Sequence, residues 1–331
     1  MNNAEKYMPE LDTIAGQRVI RLDNKEAFTH HMGGSLDQDF IDATFSELSH
    51  DSGPLDSPNK YPVFVQEDRY VLPRNGTFSD RELKIALELG HIVCDPLPSD
   101  TGGARINGSS IDVTMGHYFY TAGKHNGKGI YNPFDEEDTL RYFDVTDPET
   151  GYKTATPWEN VKTALGKEAL DLVGNIEYLK NIPPEHPMVL LRPGERILAH
   201  TNEFIGILPP GTTSMQARST TGRIGLSACY CAGWGDPGFI DRWTMEIHNL
   251  NENEHLPIPV GFRIAQVVFN MTGPVDVEYS QATGNYQTVG SHDLTGVKRA
   301  WRPHHMLPKA YKSSLDFVNI RPVEGLSEGL K

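Results

Sequence analysis

The chain has little cysteine, no long hydrophobic run and no excess of positive charge. Its 331 residues include three cysteines, Cys94, Cys229 and Cys231. An odd number, with one C-x-C pair and no second cluster, excludes a disulfide scaffold and leaves no complete metal set. Small packing residues in a reducing compartment are expected instead. No apolar stretch approaches the roughly 20 residues of a membrane helix. The opening MNNAEKYMPELD has neither the basic nor the apolar region of a secretory signal. Lysine and arginine total 30 against 44 acids, a net charge of −14, so a surface-wide basic footprint for nucleic acid or anionic lipid is missing. These absences predict a soluble, cytoplasmic protein that partners neither membrane nor nucleic acid.

What is present is turn chemistry. Glycine (31) and proline (23) are scattered throughout, and most apolar runs are short and bounded by turn residues, which predicts a mainly β fold. Strands are expected at Met188–Leu191, Arg196–His200, Phe204–Leu208, Thr213–Ala217, Trp243–His248, Arg263–Asn270 and Val275–Tyr279, closing a compact barrel or sandwich. The clearest helix is Ser79–Leu89: Ser79 and Glu82 make a capping box, Leu83, Ala86 and Leu87 follow helical spacing, and Gly90 supplies the stop. Helical spacing returns over Trp158–Leu179 as one or two helices. The length admits two domains or one large one. The pattern favours one elaborated barrel over residues 78–289, with a polar N-terminal extension (1–77, a weak strand at Arg18–Leu22), an insertion at about 122–187 and a tail at 290–331. The acidic run Asp135–Asp138 in the insertion reads as a solvated surface.

Two segments carry the densest chemistry. Arg218-Ser219-Thr220-Thr221-Gly222-Arg223 follows a strand and gathers two guanidinium groups, three hydroxyls and a glycine, the components of a phosphate cradle. Downstream, the strand from Trp243 alternates, so Trp243, Met245 and Ile247 share one face while Thr244, Glu246 and His248 share the other. The loop before it, Ala232-Gly233-Trp234-Gly235-Asp236, adds a second carboxylate beside glycines that allow close backbone approach. Carboxylates for proton transfer and arginines for phosphate are thus close in sequence. His248 reads as a satisfied structural histidine. His30-His31 and His304-His305 read as surface residues, since neither pair forms an H-x-H plus glutamate pattern on a strand.

In order and spacing, Arg218–Leu226, Asp236-Pro237-Gly238-Phe239, Thr244-Met245-Glu246 and Gly261–Gln266 resemble the successive motifs of the dCTP deaminase and dUTPase superfamily, in its deaminase branch. Phe78–Leu83, Ile106–Val113 and Leu191-Arg192-Pro193-Gly194-Glu195 resemble that branch's first helix, first strands and central turn. The resemblance implies a distorted β-barrel, a homotrimer with active sites at subunit interfaces, and a deoxycytidine nucleotide whose triphosphate carries Mg²⁺. It implies deamination without zinc, and the H-x-E and P-C-x-x-C signature of zinc deaminases is missing here. It assigns Glu246 as general base, with the Ala232 carbonyl, Arg223 and Ser219 organising the base end. Arg218, Ser219, Thr220 and Gln266 would hold phosphates within a binding set that also includes Thr221, Gly222 and Met245. Asp236 would meet the deoxyribose 3′-hydroxyl, Thr244 would line the pyrimidine pocket, and Tyr279 and Tyr286 belong to the closing tail. Ala232-Gly233-Trp234 resembles members that deaminate dCTP and then release dUMP and pyrophosphate, with Asp236 activating the second water. Asn285 stands where the family carries lysine, Val289 where it carries glutamine, Asp241 where glycine is usual and Thr220 where serine is usual. These departures leave a monophosphate or modified nucleotide open as substrate. A diphosphatase without deamination and a non-catalytic nucleotide-binding barrel remain the other readings.

Overall fold

The computed structural model describes residues 76–313, apart from short breaks at 89, 98–104, 124–126, 128, 168–169, 172–173, 175, 231, 274, 278, 280–285 and 290–291, together with strands at 11–14, 17–20, 65–66 and 70–71. The strand expected at Arg18–Leu22 falls on the hairpin of Leu11–Ile14 with Gln17–Ile20. His30-His31, Cys231 and Asn285 lie outside the described residues.

In chain order the main elements are α1 (Asp80–Glu88), β1 (Ile92–Asp95), β2 (Ser110–Thr121), α2 (Glu136–Tyr142), α3 (Trp158–Ala164), β3 (Met188–Leu191), β4 (Arg196–Ile207), β5 (Gly211–Ala217), α4 (Ser219–Arg223), β6 (Leu226–Ser227), β7 (Trp234–Gly235), β8 (Ile240–Asn249), β9 (Leu256–Pro259), β10 (Arg263–Met271) and α5 (Leu294–Ala300). One curled, antiparallel, 11-stranded sheet dominates, its main path running β6-β8-β4-β2-β10-β5-β7. The fold is therefore mainly β and barrel-like, with few helices. β3 pairs separately with β9. Among the described residues no helix is long and apolar enough to cross a membrane.

Local chemistry explains the elements. The capping box forms as the spacing predicts: Ser79 N–H donates to Glu82 at 2.6 Å, and Glu82 N–H donates back to Ser79 Oγ at 3.4 Å. Gly90 ends the helix at φ +71°, where a residue with a Cβ is disfavoured. The two strands expected at Arg196–His200 and Phe204–Leu208 are one long β4 with a register shift between His200 and Phe204. That bulge is anchored from inside. Glu203, fully buried, accepts from Thr114 N–H (2.8 Å), Thr114 Oγ1 (2.7 Å) and Arg105 (2.7 Å). Thr201 Oγ1 accepts from Trp243 N–H at 2.9 Å, which ties β8 to the irregular part of β4.

Three expectations change. The described residues of Val275–Tyr279 form no strand, and the sheet's last strand, β10, ends at Met271. Asp135 is not merely solvated: its Oδ1 accepts from Asp138 N–H at 3.2 Å and caps α2, while Asp138 pairs with Arg141 at 2.6 Å. Carboxylates in a first helical turn also meet the positive end of the helix dipole. His304 and His305 are not surface residues. Both are partly buried, and His305 Nδ1 accepts from Arg302 N–H at 3.1 Å.

The main core packs against the sheet with Ile111, Val113, Ile197, Ile205, Trp243, Met245, Ile247, Val267 and Phe269. A second cluster sits elsewhere and joins distant segments: Phe143 and Val145 from the insertion, Tyr120, Leu198 and Phe204 from β2 and β4, and Val297, Trp301, Met306 and Leu307 from the tail. Insertion and tail therefore pack together on the sheet beside β8.

Candidate active site

β8 alternates as its sequence predicts. Trp243, Met245 and Ile247 are buried in the core, while Arg242, Thr244, Glu246 and His248 are on the other face. The first three of these line a cavity of about 540 Å³ with Ala232, Trp234, Asp236, Phe239, Tyr279 and Tyr286. Six residues singled out from sequence thus meet at one place: Ala232, Asp236, Thr244, Glu246, Tyr279 and Tyr286.

Close packing under the loop sets its path. A Cβ on Gly233 would come within 2.6 Å of the Met215 carbonyl, and one on Gly235 within 2.2 Å of Thr213 Oγ1 and 2.6 Å of the Trp243 ring. Only glycine lets β7 lie this near β5, and Asp236 follows immediately. The tail segment is fastened from below. Tyr279 packs edge-on against Phe239 (5.4 Å) and its hydroxyl accepts from Tyr286 N–H at 3.3 Å, while Asp241 accepts from Thr288 N–H at 2.9 Å. Asp241, almost fully buried, has its carboxyl pushed up to about 6 by desolvation, against the lowering by the Thr288 hydrogen bonds and Arg242.

The electrostatics at Glu246 suit proton transfer. Burial raises its pKa above the ordinary carboxylate value, with lowering contributions from its backbone hydrogen bond and Arg196. Its shielded Oε2 has no hydrogen-bond partner in the described structure. A carboxyl held partly dry, with one oxygen uncommitted, can take a proton from water and return it.

The insertion and tail add walls that the sequence reading did not anticipate. Tyr131 and Tyr142 stack at 4.1 Å with ring planes 6° apart, and Arg196 donates to the Tyr142 hydroxyl at 2.8 Å. Both tyrosines line the cavity with Phe143, Met306 and Pro308. No local signal marks these residues, because their position depends on packing between segments over 150 residues apart. Arg242 was legible: it shares the alternating face of Thr244 and Glu246.

The phosphate-type residues lie apart. Arg218, Ser219, Thr220, Thr221, Gly222, Arg223, Met245 and Gln266 do not line this cavity. Met245 is fully buried in the main core, so its side chain does not reach the cavity. Thr221 is also fully buried and donates to the Ile264 carbonyl at 2.9 Å, so its hydroxyl serves the fold. Gly222 is an ordinary helical residue, and the left-handed position is Gly225 at φ +75°. Arg218 pairs with Asp112 at 3.2 Å, which Arg263 also approaches at 3.4 Å, and Gln266 Oε1 accepts from Ser110 at 3.4 Å. Two separate groups of residues result, one with carboxylates on and beside β8 and a basic, hydroxyl-rich one at β5–α4. His248 is satisfied by the Gly194 carbonyl at 3.1 Å.

Residues 77–272 match the family model described as dCTP deaminase-like. Among similar proteins, the "dCTP deaminase, dUMP-forming" of Methanopyrus kandleri is 30% identical over 214 residues, 63% of this chain and 89% of that protein. The protein of that name from Acidothermus cellulolyticus is 26% identical over 230 residues, 69% and 96% of the two chains. Among solved structures, the 2′-deoxycytidine 5′-triphosphate deaminase from Agrobacterium tumefaciens aligns over 60% of this chain and 49% of that one, at 12% identity and a TM-score of 0.38.

Proposed function

Because the chain belongs to the dCTP deaminase-like family, we propose that it is a deaminase of deoxycytidine nucleotides, converting dCTP and water to dUTP and ammonia. The observation that carries this reading is Glu246, a carboxyl lifted by burial, with an uncommitted oxygen, in the same cavity as Ala232, Asp236 and Thr244. Glu246 takes a proton from water as the water oxygen bonds to cytosine C4. Glu246 passes that proton to N3 as the C4–N3 double bond opens; the second water proton then moves to the exocyclic amine, whose bond to C4 breaks as the C4 carbonyl forms, and ammonia leaves. The Ala232 carbonyl helps hold the water, and Arg223 and Ser219 organise the base end. Asp236 meets the 3′-hydroxyl and Thr244 borders the pyrimidine.

No zinc enters this scheme, since Glu246 supplies the proton handling. Mg²⁺ belongs to the substrate and arrives on the triphosphate. Among the described residues no group of three His, Cys, Asp or Glu side chains is placed to hold a metal by itself. The two half-sites fit an interface site: the basic one, with Arg218, Ser219, Thr220 and Gln266, faces the acidic one across subunits of a homotrimer. Exposed apolar side chains at Ile224, Tyr230, Trp234 and Leu250, all close in sequence to these half-sites, support burial against another copy. The Ala232-Gly233-Trp234 loop and the dUMP-forming relatives favour a second step, in which water activated by Asp236 attacks the α-phosphate and releases dUMP and pyrophosphate. That product feeds thymidine nucleotide supply in the cytoplasm.

The test is to incubate the protein with dCTP and Mg²⁺ and to follow ammonia, dUMP and pyrophosphate for wild type, Glu246→Ala and Asp236→Asn. Wild type should release all three. Glu246→Ala should release no ammonia, and Asp236→Asn should stop pyrophosphate release. Ammonia release that persists in Glu246→Ala would refute the mechanism, and pyrophosphate from dUTP without ammonia from dCTP would make the protein a diphosphatase.

A further inference from the structure

Arg242 stands in the cavity wall four residues before Glu246, on the same face of β8. Its guanidinium carbon sits in the corner of two perpendicular aromatic rings, 4.7 Å from the centroid of Phe204 on β4 and 4.7 Å from that of Trp301 in the tail, the rings themselves meeting edge to face at 6.4 Å. Phe204 is its direct cross-strand neighbour. The two rings attract the cation and hold it in that corner. They do nothing for its edge, where the N–H donors lie. Nε is shielded from solvent and has no hydrogen-bond partner, and the side chain makes no ion pair with any described residue. The carboxylates around it are committed elsewhere: Glu203 to Arg105 and Thr114, Asp241 to backbone N–H groups of Arg242 and Thr288. A half-buried cation with its donors unspent is costly unless something anionic completes it.

The spacing says what that anion is. Arg242 and Glu246 are separated by roughly 13 Å of strand, at about 3.3 Å per residue, with Thr244 between them. A nucleotide lying along β8 with its amino-bearing ring edge at Glu246 directs its 5′ end toward Arg242. We propose that Arg242 is a phosphate-binding residue of this cavity, whose guanidinium donors take the phosphate oxygens of the bound nucleotide while Phe204 and Trp301 pack against it. This rests on the reading that the cavity receives a deoxycytidine nucleotide. It also gives the tail a role in binding, since Trp301 supplies one of the two rings packed against Arg242.

The test compares three probes, inorganic tripolyphosphate, deoxycytidine and dCTP, by saturation-transfer NMR and calorimetric titration on the full-length protein. Wild type, Arg242→Met and Arg242→Lys are used, each checked by its melting curve. Arg242→Met should weaken tripolyphosphate and dCTP by about tenfold or more, the size of a lost charge-assisted pair, and leave deoxycytidine unchanged. Arg242→Lys, which keeps the charge without the planar fork, should fall between. Should Arg242→Met not fold, Arg242→Lys still decides: weakening of the two phosphate probes alone supports the proposal. Unchanged tripolyphosphate binding overturns it, as does an equal loss for deoxycytidine, which would make Arg242 only a clamp for the tail. If wild type binds tripolyphosphate through Arg242 yet takes no deoxycytidine compound, the nucleotide reading fails and the anion site stands. If dCTP binds and Arg242 is indifferent, the reverse holds.

Discussion

The raised Glu246 carboxyl has a direct kinetic consequence. A general base must be ionised, and burial makes Glu246 keep its proton to higher pH than an ordinary glutamate. Plotted against pH, kcat/KM for dCTP should therefore fall on the acid side with an apparent pKa above the usual glutamate value. A profile flat down to that value would remove Glu246 from the role. Stability should also fall with acid, through different residues. Burial lowers His200 to about 3 and His91 to about 4. A histidine depressed in the folded state stabilises above its unfolded value of 6.5, and that contribution is lost as pH falls below it. At pH 5 each should have given up roughly 2 kcal/mol. Asp241 has the opposite sign: raised to about 6, it favours the fold most at low pH and loses that contribution as pH rises through 6. Two histidines outweigh one aspartate, so the melting temperature should drop between pH 7 and pH 5. Asp241→Asn, which keeps an acceptor for Thr288 without the buried charge, should melt higher than wild type at pH 8 and lose that advantage below pH 6.

At the scale of elements, the loop carrying Ala232 and Asp236 depends on two backbones lying too close for any Cβ. Gly235→Ala would push against Thr213 Oγ1 and the Trp243 ring, which is over-packing of a filled core and should cost about 1–3 kcal/mol. Because Asp236 is the next residue, pyrophosphate release should fall further than the stability loss alone explains, measured by thermal melting beside the product assay. α2 offers a milder probe. Asp135→Ala removes its cap and should cost about 1 kcal/mol, loosening Tyr142 and hence the stacked Tyr131–Tyr142 wall. Glu246 and Asp236 remain in place, so KM should rise more than kcat falls.

For the whole molecule, the two half-sites make a quantitative prediction. If each active site takes its basic half from one subunit and Glu246 from another, Arg223→Ala and Glu246→Ala proteins are inactive alone. After mixed refolding at equal amounts they should regain about a quarter of wild-type activity, since a quarter of the interfaces then pair two intact halves. Light scattering should give the mass of three chains. No recovery, or a monomer, would require the arginine turn to reach Glu246 within one chain. The acidic surface also bears on capture of substrate. Met188 to Tyr279 holds six arginines and no lysine against nine acids, a balance of −3. The overall field therefore repels a triphosphate, and binding falls to individually placed donors such as Arg218, Arg223 and Arg242.

The sequence by itself determined most strands of the central sheet, the face on which Glu246 lies, the capping box of α1, and the order of motifs that marks the family. These are local properties: alternation, turn chemistry and spacing survive being read along a line. It overextended the sheet past Met271, split β4 at a bulge that a buried Glu203 holds inside one strand, and read His305 as a surface group. Only the tertiary structure decided those points, along with the joining of Tyr142 from the insertion to Trp301 from the tail on one face of the sheet, and the packing of Arg242 into the corner of two rings. The reason is physical. Which apolar face covers which, and which buried charge is left without a partner, depends on contacts between segments remote in the chain, and no periodicity records them.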